Sequence, residues 1–380
     1  MTQKQIPKNW KEVELGEVCE IKKGNSITKN TITNGNIPVI AGGQQPAYYH
    51  NTSNRTGETL TVSGSGAYAG FVAYFNVPIF ASDCSTIQTK SRDVFMKYIY
   101  YLLKGNQKNI YKLQRGIAQP HVYPKDLAKI KIPLPLSNGK PDLETQKKIV
   151  SILEKAEALK TRNKKVNELF DEYLKSVFAE MFVGKGFDLE EIGDLILKTE
   201  TKNLDKDFPN KYFEYVDIAS VDNVSKEIIS TNKILGKEAP SRAKQLIRYK
   251  DILVSTVRPN LNAVAIVPEN LDRQICSTGF CILRTNSRVC VPEYLFYISK
   301  TAFFIKELVS KCKGANYPAV SSTDVKRQKI PLPPVELQKK FASIVERVEK
   351  IKEKQKRELK NAEELFDSLM QKAFRGELVE

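Results

Sequence analysis

Two stretches of this chain carry apolar residues at helical spacing, with no Gly or Pro to interrupt them. In the first, Ile149, Ile152, Leu153, Ala156, Leu159, Val166, Leu169, Phe170, Tyr173, Leu174, Val177, Phe178 and Met181 recur at steps of three and four. In the second, Phe341, Ile344, Val345, Val348 and Ile351 are followed by Leu365, Phe366, Leu369, Met370, Ala373 and Phe374. Each pattern predicts a helix of roughly 60 Å at 1.5 Å per residue. A lone helix of that length would leave its stripe in water. Two stripes bury each other most economically in a coiled coil. The positions expected to take part in helix pairing are Ile149, Ile152, Leu153, Ala156, Leu159 and Val166 on the first helix and Phe341, Ile344, Val345, Val348 and Ile351 on the second. The alternative is that each stripe packs on a globular domain.

The remaining chain reads as mixed and strand-rich. Thr59–Val62, Phe71–Tyr74, Ile252–Val254 and Ala263–Val267 predict short strands bounded by Gly, Asn and Pro, and Phe95–Leu103 and Tyr294–Thr301 predict short helices. The fold class is therefore α+β. Pro135 and Pro333 set each long helix off from the part before it.

These parts repeat. Lys131–Pro135 (KIPLP) recurs as Lys329–Pro333, and Arg115–Pro120 (RGIAQP) matches Lys313–Pro318 (KGANYP) at the same offset of 198. Glu144–Glu154 matches Glu336–Glu346 at offset 192, and Glu168–Phe170 matches Glu364–Phe366 at offset 196. Val13–Val18 resembles Leu189–Leu195 more loosely. Ordered matches spanning both halves indicate duplication. They predict two similar globular domains, 1–141 and 183–335, separated by long helices at 142–182 and 336–380. Similar helix starts pair symmetrically only if the helices run oppositely, so an antiparallel coiled coil under a pseudo-two-fold axis is expected. The offset grows by four between Ile152 and Leu169, which predicts one extra turn in the second helix.

Charge separates the same blocks. The net charge is +16, of which residues 1–141 carry +10 (18 basic against 8 acidic) and 183–335 carry +5 (23 against 18). The helical blocks are balanced, at zero and +1. Balanced charge fits a solvated helix face. Localised positive excess fits a surface that meets a polyanion such as double-stranded DNA.

Several chemistries are not encoded. There is no GxxxxGK[ST] phosphate loop, and Gly64–Gly70 (GSGAYAG) has GxGxxxG spacing between two strands, not the dinucleotide-binding arrangement. Six scattered cysteines and two histidines, His50 and His121, predict no clustered metal site and no catalytic site, with thiols kept reduced in the cytoplasm. Residues Met1–Glu14 lack the apolar stretch of a signal peptide, so export is not expected, and no apolar run reaches membrane length.

The positive signal lies in polar, glycine-rich loops. In the first domain these supply Gln44, Gln45, Tyr48, Ser63, Ser65, Tyr68, Arg115, Gln119 and His121; in the second, Arg258, Asn260, Asn262, Lys313, Asn316 and Tyr317. Gln, Asn and Arg bond base edges bidentately, whereas Lys22, Lys23 and Lys244 suit phosphates. Aligning Ala73 with Ala265 puts Gly66 opposite Arg258, so the duplicated scaffold would present different residues from one position.

Two variable domains, each ending in KIPLP and followed by an ETQKKI- or ELQKKF-type helix start, resemble the specificity subunit of type I restriction-modification systems. The resemblance covers essentially the whole chain; the first copy departs by six extra residues, Leu136–Pro141. It implies target recognition domains joined by conserved spacer helices, binding an asymmetric bipartite DNA site with one half per domain. It implies partners: an adenine DNA methyltransferase subunit, usually in two copies, and an ATP-dependent restriction subunit. Those partners use the methyl donor and ATP, so no cofactor is expected here. Helix length would then act as a ruler for the spacing of the two half-sites. Two other readings remain at this point: a coiled-coil adaptor without DNA affinity, and a self-sufficient nuclease or methyltransferase, for which the chain has no room.

Overall fold

The computed structural model describes residues 7–116, 118–312 and 318–378. The chain divides into two units, Met1–Lys165 with Gln355–Glu380, and Val166–Lys354, and each long helix contributes one segment to each unit.

In the first unit an antiparallel sheet runs in the order Cys19–Lys23, Cys84–Thr89, Thr59–Ser63, Val72–Phe75. Every residue of Thr59–Ser63 is buried, which suits its β-branched Thr and Val. A smaller sheet places Ile37–Ile40 between Tyr48–His50 and Phe80–Ala81. The KIPLP strand, Lys131–Ser137, pairs with the opening strand Trp10–Glu14.

The second unit repeats this order: Ile196–Leu197, Phe280–Thr285, Ile252–Ser255, Val264–Ile266. Its KIPLP strand, Lys329–Pro331, likewise pairs with an opening strand, Leu189–Glu191. Thr61 faces Ala73 and Leu253 faces Ala265, so both partners advance by 192 residues between copies. Along Ile252–Ser255 side chains alternate between two cores. Ile252 and Val254 join the core shared with the long helices, whereas Leu253 joins a second core beneath the other sheet.

The long helices are Leu143–Phe182 and Val335–Ala373. Asp142 caps the first, accepting bonds from the Glu144 and Thr145 amides at 3.1 Å and the Thr145 hydroxyl at 2.7 Å. The Thr145 side chain above all holds the Asp142 carboxyl below its usual range. The helices have 40 and 39 residues, so the predicted extra turn does not lengthen the second. It is offset by an earlier end, at Ala373, where the small residue gives way to the Phe374–Gly376 stretch and Gly376 takes a left-handed φ of 70°.

Two features of the expected pairing are revised. Leu159 and Ile351 are 44% and 45% exposed, so neither belongs to a buried seam. On each helix the inward face passes instead through Lys160 and Asn163, or Lys352 and Gln355, which leaves Leu159 and Ile351 on its flank. The stripes also do more than face each other: Ile149, Leu153 and Ala156 join the globular core of the first unit, and Phe341, Val345 and Val348 that of the second. Ile152, Val166 and Ile344 are half-buried.

Within the second unit the helix segments run in opposite directions. Asp171 pairs with Lys352 at 3.0 Å, and further along Phe178 meets Phe341 with ring centroids 5.4 Å apart. Phe178 also stacks on Tyr294 and Tyr297 of the short helix Pro292–Ser299, making a three-helix junction.

Each short helix is clasped to a long one by a buried glutamine. Gln146 accepts from the Phe95 amide at 2.8 Å and donates to the Asp93 carbonyl at 3.0 Å. Gln338 accepts from the Val291 amide at 2.9 Å and donates to the Val289 carbonyl at 3.1 Å. A buried tyrosine latches each KIPLP strand: Tyr98 donates to the Pro133 carbonyl at 2.8 Å, and Tyr294 to that of Pro331.

Candidate nucleic-acid interface

In each unit three loops lie together, two of them fastened to each other by main-chain bonds. In the first unit they are residues 41–47, 64–71 and 112–123. The Gly66 amide donates to the Pro120 carbonyl at 3.0 Å, and the Val122 amide to that of Gly64 at 3.1 Å. Arg115 and His121 exchange backbone bonds at 2.9 and 2.8 Å, closing the third loop. The first loop presses on the second so closely that a side chain at Gly42 would come within 2.7 Å of the Ser65 carbonyl. That approach is what requires glycine there.

The second unit uses the same fastenings. The Arg258 amide donates to the Pro318 carbonyl at 2.8 Å, and the Val320 amide to that of Thr256 at 2.9 Å. Arg258 has a left-handed φ of 48°, as Gly66 has at 80°. The counterpart of the Gly42 loop, lying between Tyr212–Val216 and Asn232–Leu235, is much longer. Its Lys226 ammonium reaches the Asn262 carbonyl at 2.5 Å, tying it to the Arg258 loop.

The expected DNA-facing residues divide between surface and interior. Gln44, Gln45, Tyr48, Tyr68, Arg115, Gln119, Lys244, Arg258 and Asn260 are exposed, and His121 is half-buried with its ring stacked on Tyr123. Ser63 and Asn262 are not available to a ligand. Ser63 is buried and donates to the Gly43 carbonyl at 3.3 Å, because it is the last residue of a strand covered on both faces. Asn262 is buried in a left-handed turn, a conformation Asn tolerates, so its role is to shape the loop. Ser65 bonds Asp83 and braces the loop.

Among the cations, Lys22 pairs with Glu20 at 2.8 Å and Arg115 with Asp126 at 2.8 Å. The first is an exposed contact that a competing phosphate can replace, whereas the Asp126 carboxylate is only 12% exposed and anchors Arg115. Lys23 is exposed in the strand Cys19–Lys23. Lys313, Asn316 and Tyr317 lie outside the described residues.

Sequence reading missed the long loop of the second unit, including Asp222, Val224, Lys226 and Ile229. Its residues do not resemble GGQQPA, and only the flanking strand pairing shows the correspondence.

Among the described residues no group of three or more His, Cys, Asp or Glu is placed to hold a metal ion. The thiols of Cys19, Cys84 and Cys290 are pushed up to about 12 by burial, which makes them poor nucleophiles. No helix among the described residues is long and apolar enough to cross a membrane.

Comparison with known proteins agrees with this duplicated arrangement. The family model described as the type I restriction modification DNA specificity domain matches twice, at residues 7–169 and 185–361. The chain is 25% identical to the type I restriction enzyme MjaVIII specificity subunit of Methanocaldococcus jannaschii, over 96% of this chain and 92% of that one. It is 23% identical to the EcoDI specificity subunit of Escherichia coli, covering 100% and 90%. The crystal structure of a type I restriction-modification S subunit from M. genitalium shares the fold, with a TM-score of 0.59 and 19% identity over 98% of each chain. With a specificity domain matched in each half and a loop cluster repeated in each unit, this chain belongs to the type I restriction-modification DNA specificity family and is a DNA specificity subunit.

Proposed function

We propose that each loop cluster reads one half of an asymmetric bipartite site in double-stranded DNA. The observation that carries this reading is the shared station of Gly66 and Arg258: one fastening scheme displays no side chain in one unit and a guanidinium in the other. A reader of two unlike half-sites needs that divergence on a common frame. The exposed amides Gln44, Gln45, Gln119 and Asn260 suit base edges, and Lys23 and Lys244 suit phosphates. The domains of the reading are 1–141 and 183–335, with the long helices forming an antiparallel coiled coil between them.

The chain itself is non-catalytic in this reading. It works in the cytoplasm, directing an adenine DNA methyltransferase subunit and an ATP-dependent restriction subunit, which use the methyl donor and ATP. Two copies of the methyltransferase are favoured by repetition on the long helices. Leu159 and Ile351, 192 residues apart, are 44% and 45% exposed; Leu169 and Leu365, 196 apart, are 49% and 47% exposed. Large aliphatic groups left in water at equivalent places suit one partner type engaged twice.

The test is methylation mapping in cells expressing this chain with its methyltransferase. The expected result is one bipartite adenine-methylated site. Methylation without sequence preference would leave the adaptor reading instead. DNA binding by the purified chain should fall steeply with salt.

A further inference from the structure

The long loop of the second unit holds Val224 and Ile229 in water, 90% and 63% exposed. With Val257 and Leu261 they line a concavity of about 790 Å³, and Arg258 lines the same space. The loop is braced. The Asp222 carboxylate accepts from the Ser225 amide at 2.6 Å and the Val224 amide at 2.9 Å, and Lys226 ties the loop to Asn262. The first unit differs at the equivalent place: Ala69, fully buried, stands where Leu261 is 47% exposed.

Resting on the DNA reading above, we infer that this concavity takes the 5-methyl group of a thymine beside a base contacted by Arg258. Thymine is the DNA base that presents a methyl group in the major groove, and apolar side chains are its complement. A guanidinium in the same lining suits the O6 and N7 acceptors of a neighbouring guanine. Positive charge and an apolar wall together fit a base edge better than either a phosphate or an apolar protein surface. Methyl readout then belongs to the half-site of the second unit alone.

The experiment uses the full chain in complex with its methyltransferase and a duplex carrying the mapped site. Each thymine in both halves is replaced in turn by deoxyuridine, which removes only the methyl group. The expected result is a loss of about fourfold in affinity at one or two thymines, all in one half. A Val224→Ala, Leu261→Ala double variant should bind thymine and uracil duplexes equally and still reject base-pair changes in the half-site of the first unit. Val224→Ala alone, at a site almost wholly in water, serves as the variant whose folding is secure. Specific binding indifferent to uracil at every position, or a half-site pair without thymine, overturns the inference. So does a double variant that loses its protein partner and keeps its preference for thymine. Failure of the wild-type complex to prefer the mapped site over random duplex would instead count against the DNA reading itself.

Discussion

Gly66 and Arg258 hold the same station in the two units: each has a left-handed backbone and each donates its amide to the carbonyl of a proline, Pro120 or Pro318. An arginine in that conformation carries a steric cost of roughly 1–2 kcal/mol that glycine escapes. Arg258→Gly should therefore fold with stability within about 1 kcal/mol of the parent, since glycine's extra unfolded-state freedom offsets the relief. DNA discrimination should fall by about 1–3 kcal/mol at one base position. Urea unfolding and competition binding check the two halves of this prediction. Unchanged discrimination would remove Arg258 from the reading surface.

The glutamine clasps are a stability prediction. Gln146→Leu and Gln338→Leu keep the bulk but strand the Phe95 or Val291 amide, and the Asp93 or Val289 carbonyl, away from water. Each should cost about 1–3 kcal/mol. A loss under about 0.5 kcal/mol in urea unfolding would mean these bonds are replaced by solvent.

Lys300 predicts a pH effect. Its ammonium lies 3.8 Å from the Tyr297 ring centroid and 4.4 Å from that of Phe296, while the nearby carboxylates Asp171 and Glu349 are each taken up by Lys352 at 3.0 Å. Its counterpart Lys104, by contrast, bonds Glu157 directly. Burial brings Lys300 down to about 8 from the ordinary 10.5, with Lys352 and Lys175 adding repulsion and Asp171 opposing. Between those values the unfolded chain binds more protons, so this group's contribution to stability rises with pH. Lys300→Met should stabilise the protein by about 1 kcal/mol at neutral pH, the ring contact offsetting part of the burial cost. That gain should shrink as pH rises toward 10.5. Urea midpoints at neutral and alkaline pH test it; a variant less stable than the parent at neutral pH would refute it.

Four residues inserted after Lys164 add about 6 Å of helix and touch no loop of either cluster. The expected outcome is a methylated site with the same two half-sequences and a spacer changed by about one or two base pairs, given a rise of roughly 3.4 Å per pair. Methylation mapping decides, and an active variant with unaltered spacing would rule out the ruler.

Four strands and two short helices were legible because their periodicity and turn residues are local, whereas strands such as Cys84–Thr89 and Phe280–Thr285 were not. Thr59–Val62 is read to within one residue of Thr59–Ser63, and Phe95–Leu103 falls close to Met96–Gly105. The repeat was legible because KIPLP and the helix starts do the same mechanical work twice, through Tyr98 and Tyr294 and through Gln146 and Gln338. Exposure was not legible. Leu159 and Val345 look alike in sequence, and only the position of neighbouring elements decides that one is 44% exposed and the other 8%. The long loop of the second unit was hidden for a similar reason: its place comes from strand pairing across distant residues, which leaves no local pattern.

The clasps also bear on how such a chain can change over generations. Each globular part is fastened at its short helix by one glutamine and at its last strand by one tyrosine, and both fasteners are the same residue types in the two copies. Genetic exchange that breaks and rejoins the coding sequence at the helix starts would therefore bring an incoming part to a matching attachment. Its display loops could differ in side chains from those they replace, because the bonds that fasten the Gly66 or Arg258 loop to Pro120 or Pro318 are main chain. The fold thus separates heredity of attachment from heredity of choice, and one crossover can deliver a new preference in a single step.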